Sequence, residues 1–196
     1  MATFRAIAAV SRAVLKLLED SCPRRDFPDA QFALHQALDF QKAPLGEGVS
    51  LFLYRVAVNG SRRNLPVRTD LDGFRMKPPL PLDLSYVVCA WGRSVDVQQR
   101  LLGFCARALE DTPILPAGLL NQNAPEATTF RSDETVELVA EALSLQDLHL
   151  IWELVKPNVP LGMCYIARGV PIESTITIAE YRPVQTRVFD MTAGPQ

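Results

Sequence analysis

VSLFLYRVAV (Val49–Val58) and LDLSYVVCAW (Leu82–Trp91) are the two stretches whose reading decides the fold. Both are rich in β-branched and aromatic residues, the composition that suits a pleated, packed surface. Strand periodicity places Val49, Leu51, Leu53, Arg55 and Ala57 on one face of the first, with Ser50, Phe52, Tyr54, Val56 and Val58 on the other. In the second, Leu82, Leu84, Tyr86, Val88 and Ala90 lie opposite Asp83, Ser85, Val87, Cys89 and Trp91. In Val49–Val58 apolar groups on both faces mark a central strand covered from both sides. Asn59-Gly60 after the first strand is a tight-hairpin signal. The polar connection Ser61–Pro81 is long for a loop without structure, and such connections tend to be functional.

Working outward, Ile7, Val10, Val14, Leu17 and Leu18 recur at spacings of three and four, which predicts a helix from Thr3 to Asp20. Pro23 closes it off. Ala30–Asp39 is expected to be a strand, and Gln41–Gly48, with Pro44, Gly46 and Gly48, a loop. A second helix is expected over Val95–Glu110, capped by Ser94. Thr135–Leu143 alternates like a strand, and Ser144-Leu145-Gln146-Asp147 opens a short helix that stops at Pro157. Met163–Pro171 and Ser174–Ile178 read as further strands, and residues 183–196 as an extended C-terminal arm. This order lacks strict βαβ alternation. It predicts one α+β domain over residues 1–196, a mostly antiparallel sheet flanked by helices.

Composition narrows the function. Of the 196 residues, 48% are hydrophobic and 21% charged, enough for a large core and too apolar for wholesale disorder. A net charge of -2 and the absence of a basic cluster argue against nucleic-acid binding. No apolar run approaches the roughly 20 residues of a membrane span, and no signal-peptide pattern stands at the start. Direct membrane insertion is therefore not expected, and the chain is expected to be made and folded in the cytosol. Lysine occurs only at Lys16, Lys42, Lys77 and Lys156, so arginine carries most of the positive charge. Its planar fork suits fixed contacts to carboxylates and protein partners.

Patterns for catalysis are missing. Cys22, Cys89, Cys105 and Cys164 form no C-x-x-C pair, and three of them sit in apolar segments as small hydrophobes. His35 and His149 are far apart and belong to no metal-binding spacing, and neither a nucleophile elbow nor a phosphate loop occurs. The carboxylate pairs Glu19/Asp20, Glu110/Asp111 and Asp133/Glu134 fall at element ends, where solvated or capping roles are usual. No catalytic residue, metal or cofactor is expected. Arg62-Arg63-Asn64 follows directly on the strongest strand, and is either a solvated turn or a partner-docking loop delivered by a rigid element.

An ordered series of segments resembles a known family. It comprises Val49–Val56, Asn59 with Arg62-Arg63-Asn64-Leu65, Pro79–Tyr86 to Ala90-Trp91, and Arg100-Leu-Leu-Gly103 with Leu109–Leu115. It continues with Leu143–Leu148 through Ile151-Trp152, Cys164-Tyr165 and Val170-Pro171-Ile172. The chain is similar, over about Ile7 to Ser174, to the cap or tail-terminator proteins of extracellular contractile injection systems. These are relatives of the Photorhabdus virulence cassette and antifeeding prophage particles. One departure is Gln98-Gln99, where the family often has a histidine before the Arg-Leu-Leu-Gly run.

The resemblance implies a non-enzymatic assembly protein with a tail-terminator-like fold. It would form a homo-hexameric ring closing the inner tube and sheath distal to the baseplate, within an injection particle. Partners would be further copies of itself and the sheath and inner-tube proteins. Arg62, Arg63 and Asn64 are then candidates for partner docking, and Thr186, Arg187, Val188 and Phe189 for an inter-subunit arm that adds a strand to a neighbour's sheet. Other readings are a phage neck or tail-completion ring protein, or a membrane-docking adaptor of a contractile machine. A small hydrolase would instead show turnover dependent on His35 or His149.

Overall fold

The computed structural model describes residues 3–41, 45–62, 65–69, 73–122, 124, 129–156, 158 and 160–178. The two deciding stretches are the strands β2 (Gly48–Val58) and β5 (Leu80–Trp91), paired antiparallel from Gly48↔Trp91 to Val58↔Leu82. They lie within a six-stranded sheet of order β1-β2-β5-β8-β7-β6. Its other members are β1 (Gln31–His35), β6 (Ile114–Pro116), β7 (Thr135–Ala140) and β8 (Leu161–Ile172). Only β1 runs parallel to its neighbour, so the sheet is mostly antiparallel, as expected.

Two cores sandwich this sheet. On one face α1 (Ala6–Ser21), α2 (Val95–Asp111) and α3 (Ala117–Gln122) bury Val10, Val14, Leu18, Leu101, Leu109 and Leu120 against Val49, Leu51, Leu84, Tyr86 and Val88. On the other, a short 3-10 turn (Ala37–Gln41) and α4 (Leu145–Val155) set Phe40, Ile151 and Val155 on Phe52, Val87, Cys89, Trp91 and Cys164. Each large side chain fully removed from water contributes roughly 1.5–3 kcal/mol, so burial on both faces dominates the stability. Both caps form where expected: Ser94 Oγ accepts the Val97 N–H and Ser144 Oγ accepts the Asp147 N–H.

Several expectations are corrected. Ala30–Asp39 is a strand only to His35, after which the chain turns through the 3-10 segment. Asn59-Gly60 makes no tight hairpin: a 3-10 turn (Gly60–Arg62) follows, and the long connection returns as β5. That connection holds its own two-stranded sheet, β3 (Arg68–Thr69) with β4 (Arg75–Met76). Ser174–Ile178 contributes a single bridge, Thr177 to Met76, and no full strand. Gly48 belongs to β2 itself, and allows β1 to approach.

The face assignment of β2 changes midway. Leu53 pairs with Tyr86 but Arg55 pairs with Ser85, so Tyr54 is the extra residue of a β-bulge. Beyond it Val56 and Val58 join the face of Leu51 and Leu53, opposite Leu84 and Leu82, while Arg55 and Ala57 turn to the other side. Only the first half of β2 is covered on both faces: burial runs out after Phe52.

Candidate docking interface

Arg62 sits on a locked turn at the end of the sheet. Leu82 pairs with Val170 whereas Leu84 pairs with Ala167, so Arg168 and Gly169 together oppose Asp83 in a second bulge. Gly169 has φ +68°, in the left-handed region where a side chain is disfavoured. Its freed N–H donates to Asp83 Oδ1 at 2.9 Å, and the same oxygen accepts from Asn59 Nδ2 at 2.9 Å. Asn59 also accepts the Arg62 N–H through its side chain at 3.0 Å and donates its own N–H to the Pro81 carbonyl. Asn59 and Asp83 thus tie the turn onto the bulge.

The Arg62 side chain then lies directly across Gly169. A Cβ built there would stand 2.5 Å from Arg62 Nη1, so a larger residue would displace the guanidinium, while the backbone conformation is what requires glycine. The result is a polar hollow of about 420 Å³ walled by Asn59, Ser61, Arg62, Asp83, Glu137 and Arg168. Forked cations (Arg62, Arg168) and carboxylates (Asp83, Glu137) line it together. Such a surface can match a partner presenting acidic and amide groups, and it contains no group arranged as a nucleophile and base. Of the expected docking residues, Arg63 and Asn64 lie outside the described residues, as do Thr186, Arg187, Val188 and Phe189 of the expected arm.

The connection that carries this turn is clamped by charges the sequence reading missed. Arg68 Nη1 in β3 donates to Glu134 Oε1 at 2.5 Å and to Glu173 Oε1 at 2.6 Å. Both carboxylates are buried, at 7% and 6% exposure. Burial alone would lower the Arg68 pKa, but the bonds to Glu134 and then Glu173 outweigh it and raise the pKa overall. Glu134 also accepts the Arg131 N–H at 2.9 Å. Of the Asp133/Glu134 pair, expected in a solvated or capping role, Asp133 is exposed, while Glu134 is buried, binding Arg68 as well as the Arg131 N–H. Nothing in the spacing of three residues drawn from distant segments signals this clamp.

Outside it, His35, Tyr54 and the four cysteines are built into packing. His35, at the end of β1, meets Phe40 edge-on at 5.3 Å and Trp91 at 6.0 Å. Its Nδ1 is buried without a hydrogen-bond partner, and burial holds its pKa below the usual histidine value, partly offset by Asp39. His149 is on the exposed side of α4, 3.5 Å from Glu153. Tyr54 donates to Glu141 at 3.0 Å, and burial pushes its phenol up to about 12. All four cysteines are buried and free, and burial raises the pKa of each, that of Cys164 to about 11. Among the described residues no group of three or more His, Cys, Asp or Glu side chains is placed to hold a metal ion. No helix there is long and apolar enough to cross a membrane.

The family described as the Pvc16 N-terminal domain matches residues 9–186. Solved structures that share the fold include two caps or terminators. One is the sheath/tube terminator, in the extended state, of the PVC extracellular contractile injection system. It has a TM-score of 0.63 and 15% identity, with 97% of this chain and 65% of that chain covered. The other is the tube-terminating cap of the anti-feeding prophage, with a TM-score of 0.57 and 15% identity over 92% of this chain and 60% of that one. The chain thus spans less than two thirds of the length of either. No curated protein matches it.

Proposed function

The chain belongs to the Pvc16 N-terminal domain family, and from that membership we propose that it caps and terminates the tube and sheath of a contractile injection particle. Six copies form a closed ring at the end distal to the baseplate. Each copy turned 60° from the last leaves no lateral edge, and a closed ring presents a finite face on which no further layer grows. Length control follows from that geometry, with no bond made or broken. The observation that carries this reading is the fold likeness to a sheath/tube terminator over nearly the whole chain. The hollow at Arg62 is the docking surface for the last tube or sheath layer. Arg62 is held on a turn already tied to the sheet through Asn59 and Asp83, which lowers the entropy cost of ordering it on binding.

Deleting the gene and imaging the particles tests both statements together. We expect tubes and sheaths of scattered length, restored to one length by the natural protein. An Arg62→Ala/Arg63→Ala variant that folds normally is expected not to restore it. Uniform length without the protein would refute termination, and full rescue by the double variant would refute this choice of surface.

A further inference from the structure

β1 accompanies β2 only from Gln31↔Gly48 to His35↔Phe52, whereas β2 continues to Val58. Beyond Phe52 no strand among the described residues pairs with its outer edge. The bulge at Tyr54 also leaves this half of the strand with an apolar face. Val56 and Val58 are 45% and 48% exposed, while Leu84 and Leu82 opposite them are buried. The apolar track runs back along Leu53 and Leu34 into a hollow of about 340 Å³ bounded by Phe4, Ile7, Leu51 and Tyr86. An unpaired edge with an apolar face is a template for one more strand.

The chain itself carries a suitable strand. Residues 174–178 run beside β4, with the Lys77 N–H donating to the Ile176 carbonyl at 3.0 Å and the Ile178 N–H to the Arg75 carbonyl at 2.7 Å. β4 leads within a few residues to Leu80, and Leu82 faces Val58. The described chain therefore ends at the end of the sheet where the free edge of β2 also ends. Beyond Ile178 lie residues 179–196, a reach of roughly 60 Å if extended. They place Val184, Thr186 and Val188 at alternate positions, three β-branched residues that would share one face of a strand.

We propose that residues 183–189 of one copy pair with the outer edge of β2, residues 53–58, of a second copy. Val184, Thr186 and Val188 then lie along Leu53, Val56 and Val58. The inference rests on the ring reading, because in a closed ring every copy gives one arm and receives one. The pairing covers the exposed valines and leaves no free edge on β2.

Cross-linking of full-length chains tests it. One preparation carries Val58→Cys, the other a single cysteine placed in turn at each of 184 to 189, and the two are mixed before oxidation. Cross-links between copies, strong at every second arm position and weak between, are the expected result. A link formed only within one copy, in chains carrying both cysteines, would overturn pairing between copies. Equal yields at all six positions would overturn a strand. Val56→Asp, checked for folding by circular dichroism, is expected to raise the concentration for half-assembly at least tenfold in analytical ultracentrifugation. Rings that assemble normally with Val56→Asp and without cross-links would overturn this inference and leave the ring reading intact. A natural chain that stays monomeric at every concentration would overturn both.

Discussion

Protonating His35 would set a cation among Phe40, Trp91 and the end of β1, with its buried Nδ1 facing no acceptor. Burial lowers its pKa in the folded state, so between that value and about 6.5 the unfolded chain binds more protons than the folded one. The corresponding stability is fully present above about pH 6.5 and is lost as pH falls through the lowered folded pKa. Thermal unfolding followed from pH 7 to pH 5 should show a falling midpoint, with a shallower fall in His35→Phe. Parallel profiles for the two proteins would contradict it. At this scale the sequence is only partly readable. Arg62 was singled out because it follows a strong strand. Its partners Asp83 and Gly169 come from β5 and β8, and nothing local in either strand announces a bulge. Arg68, Glu134 and Glu173 were missed for the same reason: a clamp assembled by the fold leaves no spacing to recognise.

Elements with a strong period were legible, and those without one were not. β2, β5 and β8 each span eleven or twelve residues, long enough for alternation to show. β3 and β4 have two residues each and β6 three, too few for any pattern. The bulge at Tyr54 defeated the simple alternation of β2 and moved Val56 and Val58 to the opposite face. Gly48 shows the same limit: it read as a turn former, but its place is set by a neighbouring strand. A Cβ on Gly48 would stand 2.0 Å from the Gln31 carbonyl oxygen, with φ at +149°. Gly48→Ala must therefore push β1 off β2 or distort both, a cost of about 3 kcal/mol or more. Chemical denaturation should register that loss, and hydrogen exchange should accelerate first in Gln31–His35. A variant as stable as the natural chain would show that β1 does not pack this closely.

For the whole molecule, the fold class followed from the order of elements, while the neighbour order β1-β2-β5-β8-β7-β6 did not. Pairing between segments as distant as β5 and β8, from Leu80↔Ile172 to Ala90↔Leu161, is decided by packing rather than local pattern. The sheet carries helices on both faces, and at its far corner, among the described residues, Arg62, Arg168, Val56 and Val58 are exposed. A polar hollow and an apolar edge meet there, the two surfaces proposed for the docking partner and for a second copy. Cryo-electron microscopy of purified injection particles measures the central claim most directly. Termination predicts one ring of this fold per particle, at the tube end opposite the baseplate. Density for the fold repeated along the tube, or missing from both ends, would contradict it.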